Sequence, residues 1–199
     1  MLNFNHLNLL DRYTLLESLP YTFKVGMEIG VWQGWYTAHM IQKTRMKIYA
    51  VDPWCATESY PEVEEFDPLR QGPDGYVHQE ARYQATIKLL SQFPRNRYEI
   101  IRSYSDDVSK FRLLEDHQMD FVYIDGEHTY EAVRNDIEVW WPKVKSGGIL
   151  SGHDYNDTNP GTVKAVNEFA SKNNLKFKIT GTNPEKGDAD APSWVFVKD

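Results

Sequence analysis

One cysteine, Cys55, stands in 199 residues, so no intramolecular disulfide can form. With no cystine framework to build, the expected setting is a reducing one, the cytoplasm. Long apolar runs are also missing. No stretch approaches the roughly 20 apolar residues that span a bilayer, and residues 1–23 lack the basic segment and apolar run of a secretory leader. No membrane partner is expected. Basic charge is short: 22 Lys and Arg against 29 Asp and Glu leave a net charge of -7. A nucleic-acid footprint needs a basic face to neutralise phosphates, so no nucleic-acid partner is expected either. Repeats and low-complexity tracts are absent. With 41% hydrophobic and 26% charged residues, the composition is that of an ordinary globular chain. The length fits one domain over residues 1–199, with 1–22 as an N-terminal helical extension.

What the chain does contain is a regular alternation of short apolar runs and helical patterns. Residues 7–19 carry apolar side chains at helical spacing, and Pro20 marks the stop. Strands are predicted at Val25–Ile29, 47–51, 98–101, 121–124 and 149–151. Helices are predicted at 34–44, 130–145 and 162–173, with Gly147-Gly148 following the second. Trp140 and Trp141, near the end of that helix, read as core. Two late runs, 176–180 and 194–197, are joined by the loop 181–193 and suggest a hairpin. The expected fold class is therefore α/β: a doubly wound, mostly parallel seven-stranded sheet with helices on both faces and a C-terminal antiparallel hairpin. Residues 54–78 break the rhythm, being too long for a plain strand-to-helix link. They read as a lid or acceptor loop, or as a tolerated surface excursion.

The first strand ends in Glu28-Ile29-Gly30-Val31-Trp32-Gln33-Gly34. Glycine after a strand lets the backbone turn tightly and approach a ligand, and the free N–H groups of the following helix can meet a polar group. The spacing is G-x-x-x-G; the G-x-G-x-x-G of a pyrophosphate loop is absent, which argues against NAD or FAD. Asp52 ends the second strand, 22 positions after Gly30. In a doubly wound sheet an acid there can accept hydrogen bonds from both ribose hydroxyls; a turn or cap role beside Pro53 is the alternative. Gly30, Gly34 and Asp52 together point to a nucleoside-containing ligand. After the third strand, Ser105 and Asp106 can accept from an adenine amine or cap the next helix.

The stretch Met119-Asp-Phe-Val-Tyr-Ile-Asp125-Gly-Glu-His128-Thr-Tyr, with Lys145-Ser-Gly-Gly-Ile-Leu-Ser-Gly-His153-Asp154-Tyr155, resembles class I S-adenosylmethionine-dependent methyltransferases. Within that class it resembles the small-molecule O-methyltransferase branch, which holds macrolide-sugar and, more distantly, catechol O-methyltransferases. The resemblance runs from Val25 to Asp154, roughly two thirds of the chain. It implies a Rossmann-like methyltransferase fold with Glu28 and Gly30 beside the methionine moiety of S-adenosylmethionine. It also implies Asp52 at the ribose, Ser105-Asp106 at the adenine, and Asp125 and Asp154 as ligands of a magnesium-type cation. His128 stands where relatives carry a His or Lys general base. His153 departs from the pattern, an acid being more usual there.

Methyl transfer to oxygen needs alignment of oxygen, carbon and sulfur, and a hydroxyl that sheds its proton. Asp125 and Asp154 suit a hard cation such as Mg²⁺, and His128 suits proton transfer near neutral pH. With His153 as a nitrogen ligand, Mn²⁺ or Zn²⁺ becomes admissible. Each of these residues also has an ordinary use: Asp125-Gly126 as a strand-exit turn, His128 as a surface residue, His153-Asp154 as a loop cap. Trp54, Tyr60, Tyr76 and Trp140 are candidate acceptor walls, and Cys55 is read as inert. The expected activity is methylation of a small hydroxylated acceptor such as a sugar or polyol, homo-oligomerisation remaining open. A nicotinamide-dependent oxidoreductase and a non-catalytic S-adenosylmethionine-binding module are the alternatives.

Overall fold

The computed structural model describes residues 2–55, 79–109, 116–183 and 191–199. In chain order the elements are α1 (Arg12–Glu17), β1 (Val25–Ile29), α2 (Trp35–Lys43), β2 (Lys47–Asp52), α3 (Gln79–Leu90), β3 (Tyr98–Arg102), α4 (Ser105–Ser109), β4 (Met119–Ile124), α5 (Tyr130–Trp140), β5 (Val144–Gly152), α6 (Pro160–Lys172), β6 (Phe177–Ile179) and β7 (Trp194–Val197). The strands form one seven-stranded sheet in the order β3-β2-β1-β4-β5-β7-β6. β1 to β5 run parallel, while β7 pairs antiparallel with both β5 and β6. This is the doubly wound sheet with a terminal antiparallel pair that the alternation of patterns predicts.

Every residue of β4, Met-Asp-Phe-Val-Tyr-Ile, is buried, as expected of a central parallel strand covered on both faces. Successive side chains point to opposite faces and sort into two cores. Met27, Ile29, Val122 and Ile124 pack with Ile137 and Trp140 of α5 and Val166 of α6. Ile48, Ala50, Phe121 and Tyr123 pack on the other face with Leu15 and Leu16 of α1 and Met40 of α2. Trp140 is fully buried, and Trp141 packs against the first core, as the sequence indicates.

Three elements differ from expectation by more than two residues at an end. The N-terminal helix covers six residues, Arg12–Glu17, preceded by a short 3-10 turn, Phe4–His6. Asp11 starts it: its carboxylate accepts from Thr14 N at 2.6 Å while Thr14 Oγ1 accepts from Asp11 N, a reciprocal cap that fixes the start. The helix predicted at 130–145 stops at Trp140, and Gly147-Gly148 lies inside β5 rather than ending a helix. Gly147 sits at φ +77° and the β4–β5 register shifts between Met119 and Phe121, so the glycine pair belongs to an irregularity within a longer strand. The helix Gln79–Leu90 has no counterpart among the predicted elements.

The sheet ladder runs one residue beyond several strands. Gly30 N donates to Val51 O (2.9 Å), Asp125 N to Ile29 O (2.7 Å), His153 N to Ile124 O (2.9 Å) and Ser103 N to Asp52 O (3.1 Å). That brings the exits of β1, β2, β4 and β5 to one sheet edge. The strand order reverses between β1 and β4, the position where doubly wound sheets bind ligands. Among the described residues no helix is long and apolar enough to cross a membrane.

Candidate active site

The turn after β1 is built by close approach. Gly30 has φ +83°, and a Cβ there would collide with the backbone carbonyl of Asp125, so only glycine lets the β1 and β4 exits touch. Gly34, at φ +82°, starts α2 without a side-chain cap. Between them Trp32 also has a left-handed backbone, φ 54°, with half of its surface exposed. Hydrogen bonds on both sides of the residue hold it there. Its N–H donates to Asp52 Oδ2 (3.0 Å), and its carbonyl accepts from Trp54 Nε1 (2.8 Å) and Thr86 Oγ1 (3.1 Å). Strain of this kind persists only where the surroundings over-determine it, and it gathers at functional sites.

Asp52 is the organiser of this loop. Its Oδ2 accepts from Val31 N (2.9 Å) as well as Trp32 N, and its Oδ1 accepts from Trp54 N (2.6 Å). Burial pushes its carboxyl up, and the three backbone N–H groups pull the other way. The sequence shows an acid at a strand tip; the structure shows that acid tying the glycine turn to the β2 exit. Glu28 lies beneath the loop, 2% exposed, and accepts a hydrogen bond from the Thr37 hydroxyl. Burial holds its carboxyl well above the usual range, and nearby Asp125 adds to this.

Ser105, the first residue of α4, donates its hydroxyl hydrogen bond to Asp136 on α5. Its side chain therefore joins two helices, and Asp106 follows it in the same half-buried turn. Trp54 is 2% exposed and stacks on Tyr83 with centroids 4.8 Å apart, so it belongs to the core and does not wall a cleft. Cys55 Sγ lies 3.1 Å from the Tyr104 hydroxyl. Residues 56–78, which include Tyr60, Tyr76 and most of the expected lid, lie outside the described residues.

At the β4 and β5 exits the charged side chains converge. His128 Nε2 stands 2.7 Å from Asp154 Oδ2. His153 Nδ1 faces both carboxylates, 3.5 Å from Asp125 Oδ1 and 3.3 Å from Asp154 Oδ2. Asp154 adopts φ 59°, and Asn159 Nδ2 donates to its Oδ1 at 3.2 Å. α6 steadies the other side: Pro160 opens it, and a Cβ on Gly161 would come within 2.6 Å of His128 O and Tyr130 N. Burial alone would lower both imidazoles, but the carboxylates around them outweigh it, so His128 is raised and His153 raised strongly, with Tyr123 also contributing to the latter. Asp154 is correspondingly held below the ordinary carboxylate range, the two histidines overcoming its burial.

Asp125, His128 and Asp154 each offer one ligand atom, all within 4.8 Å of one another. Ligands on opposite sides of one divalent ion stand about 4–5 Å apart, so this oxygen-and-nitrogen donor set fits such an ion. Of the expected ligand set, Asp125 and Asp154 belong to this cluster, and His153 lies beside both of them.

Sequence reading missed Arg12. From the first turn of α1 its Nη1 reaches Asp125 Oδ2 at 3.4 Å, with its guanidinium 5.3 Å from the Tyr13 ring and 5.1 Å from the Tyr36 ring. No local pattern marks an arginine 113 residues away from its partner; only the Asp11-x-x-Thr14 cap that aims the helix was readable. A cleft of about 650 Å³, lined by Leu2, His6, Ser18, Phe23, Asp120 and Gly148 among others, lies at the opposite edge of the sheet and holds none of these groups. The chemistry, not that concavity, locates the site.

Comparison with known proteins agrees with this geometry. The family described as a methyltransferase domain matches residues 27–155, from within β1 to the residue after Asp154. The chain belongs to that family and is an S-adenosylmethionine-dependent methyltransferase. Protein R132 of Acanthamoeba polyphaga mimivirus is 25% identical over 187 residues, covering 86% of this chain and 75% of that one. A Streptococcus mutans protein crystallised with S-adenosylhomocysteine superimposes with a TM-score of 0.62 at 12% identity, over 94% of this chain and 95% of its own. The O-methyltransferase NovP gives 0.58 at 16% identity, over 90% and 72%. Membership in the family sets aside the nicotinamide-dependent alternative.

Proposed function

We propose that this methyltransferase transfers its methyl group to a hydroxyl of a small acceptor such as a sugar or polyol, assisted by a divalent cation on Asp125 and Asp154. One observation carries the reading: two carboxylates and an imidazole converge within 4.8 Å at the sheet edge, directly beside the glycine turn. In this reading S-adenosylmethionine lies along the turn at 30–34, its methionine moiety over Gly30 and Glu28 and its ribose toward Asp52. Its adenine lies toward Asp106 and the backbone of Ser105. The net charge of -7 favours a small acceptor over a nucleic acid. NovP, an O-methyltransferase of the same fold, lends the oxygen nucleophile its support.

When bound, Mg²⁺, Mn²⁺ or Zn²⁺ would stabilise the negative charge developing on the acceptor oxygen. The chain's own residues do the rest. Asp125 is fixed by Arg12 and His153, and Asp154 by Asn159 and His153, so both carboxylates keep their direction as the acceptor arrives. His128 is the general base of this reading, and Asp154, 2.7 Å from its Nε2, stabilises the imidazolium that forms when it takes the hydroxyl proton. The backbone of the loop aligns donor and acceptor, and that alignment supplies much of the rate.

The test is transfer of labelled methyl to a panel of sugars and polyols, with and without chelator. Transfer should stop on chelation and return with Mg²⁺ or Mn²⁺. Asp125→Ala and Asp154→Ala should each lower turnover on the order of 100-fold, with affinity for S-adenosylhomocysteine nearly unchanged. Full turnover by both variants in excess chelator would remove the cation. Label appearing only on nitrogen would remove the hydroxyl.

A further inference from the structure

Among the described residues, Arg12 is the one charged group of the site that comes from outside the region matching the methyltransferase family. It sits at the start of α1, and its side chain is largely covered, at 15% exposure against 20% for Asp125. The guanidinium lies against Tyr13 and Tyr36, and the Tyr36 hydroxyl donates to the Arg12 carbonyl at 3.2 Å. The segment behind it is anchored twice to the chain before β7. Asn183 Nδ2 donates to the fully buried Asp11 at 2.8 Å, and Gly181 N donates to Leu9 O at 3.0 Å. Arginine cannot be deprotonated in a protein, so this is a permanent positive charge placed on a carboxylate of the cluster.

We infer that Arg12 is the resident counter-ion of Asp125: it holds the carboxylate in place when no divalent cation is bound, and it weakens cation binding by competing for the same oxygens. The inference rests on the proposed cation at Asp125 and Asp154. Two effects oppose each other here. Arg12 orients Asp125, which helps a cation, and its charge repels a cation at the same carboxylate, which hinders it. Arg12 and His153 face the two oxygens of Asp125 at similar distances, 3.4 and 3.5 Å, so without Arg12 one of the two orienting contacts remains. Repulsion between a single and a double charge a few ångströms apart in a part-buried site is the larger effect. Cation binding therefore loosens the grip of Arg12 and with it the seat of α1. Occupancy of the cation site is thereby linked to the order of the N-terminal segment.

Mn²⁺ titration followed by electron paramagnetic resonance tests this on the full chain without reference to turnover. Arg12→Gln should bind Mn²⁺ about tenfold more tightly than the natural protein, while Arg12→Lys, which keeps the charge, should stay near it. Asn183→Ala leaves Arg12 intact but frees its helix, and should tighten binding severalfold. That variant keeps the question answerable if Arg12→Gln folds poorly. Hydrogen exchange at Leu15 and Leu16 should accelerate when Mn²⁺ is added to the natural protein. Equal or weaker Mn²⁺ binding by both Arg12→Gln and Asn183→Ala overturns the inference while leaving the cation site standing. Absence of Mn²⁺ binding in every protein, the natural one included, overturns the cation site and the inference with it.

Discussion

Asp136 offers a quantitative test of how the α4–α5 contact is built. It lies on the inner face of α5, 6% exposed, with the Ser105 hydroxyl as its hydrogen-bond partner and the charge of Asp106 nearby. Burial, reinforced by Asp106 and only partly relieved by Ser105, pushes its carboxyl from an ordinary 3.8 up to about 7. A folded-state value above the unfolded one means that the native protein holds the proton over that interval while the unfolded chain releases it. Stability from this group is therefore full at low pH, falls as pH rises from about 4 to about 7, and levels off above. Each tenfold difference in proton affinity is worth about 1.4 kcal/mol, so the whole interval amounts to about 4 kcal/mol as an upper bound. Asp136→Asn keeps the shape and an acceptor for Ser105 and removes the charge, at a cost of about 1 kcal/mol for an amide group with fewer partners. Urea unfolding at pH 5 and pH 8 should show the variant equal to or slightly more stable than the natural protein at pH 5, where about 1.5 kcal/mol has already been lost. At pH 8 it should be more stable by about 2–3 kcal/mol. Taking the difference between the two proteins cancels the histidines near the active site, which are not partners of Asp136. A difference that does not change between the two pH values would show that Asp136 ionises in the fold without penalty.

Two further substitutions probe the donor loop. Gly30→Ala forces a Cβ against the Asp125 carbonyl at φ +83°, and should lower stability by about 1–3 kcal/mol in a thermal melt and abolish S-adenosylhomocysteine binding by calorimetry. Asp52→Asn has one side-chain oxygen for the three backbone N–H groups that the carboxylate now serves, and should cost at least about 1–3 kcal/mol of loop stability. Donor-product affinity should fall at least tenfold with it; unchanged affinity would mean that the loop holds its shape without Asp52.

The fold was largely legible because its strands are short, apolar and separated by turn residues. The strands read at Val25–Ile29 and 194–197 match the observed limits, and the others are found with their ends moved. β5 moved most, because Gly147 punctuates a strand in the same way it would punctuate a helix end, and only the pairing with β4 tells the two apart. α3 escaped because its apolar residues are sparse: Gln79, Arg82, Thr86 and Leu90 form its buried face, and three of these are polar. A periodicity search weighs side-chain polarity and cannot see that Thr86 and Arg82 are buried against the Trp32 loop.

In the candidate site, strand-end positions were readable and hydrogen-bond partners were not. Asp52, Asp125 and Asp154 follow strands, so parallel pairing alone brings them to one edge. What each carboxylate holds depends on groups far away in sequence or on backbone direction, neither of which leaves a local pattern. Asp52 serves three amides, Asp125 meets an arginine from α1, and Asp154 is aimed by a left-handed backbone at φ 59°. The surroundings of the two histidines were unreadable for the same reason. On paper His128 reads as a base and His153 as a nitrogen ligand. Parallel β4–β5 pairing sets His153 beside both acids, and the turn that Gly161 supports brings His128 to face Asp154, so residues from two strand exits meet one carboxylate that no local pattern could have joined.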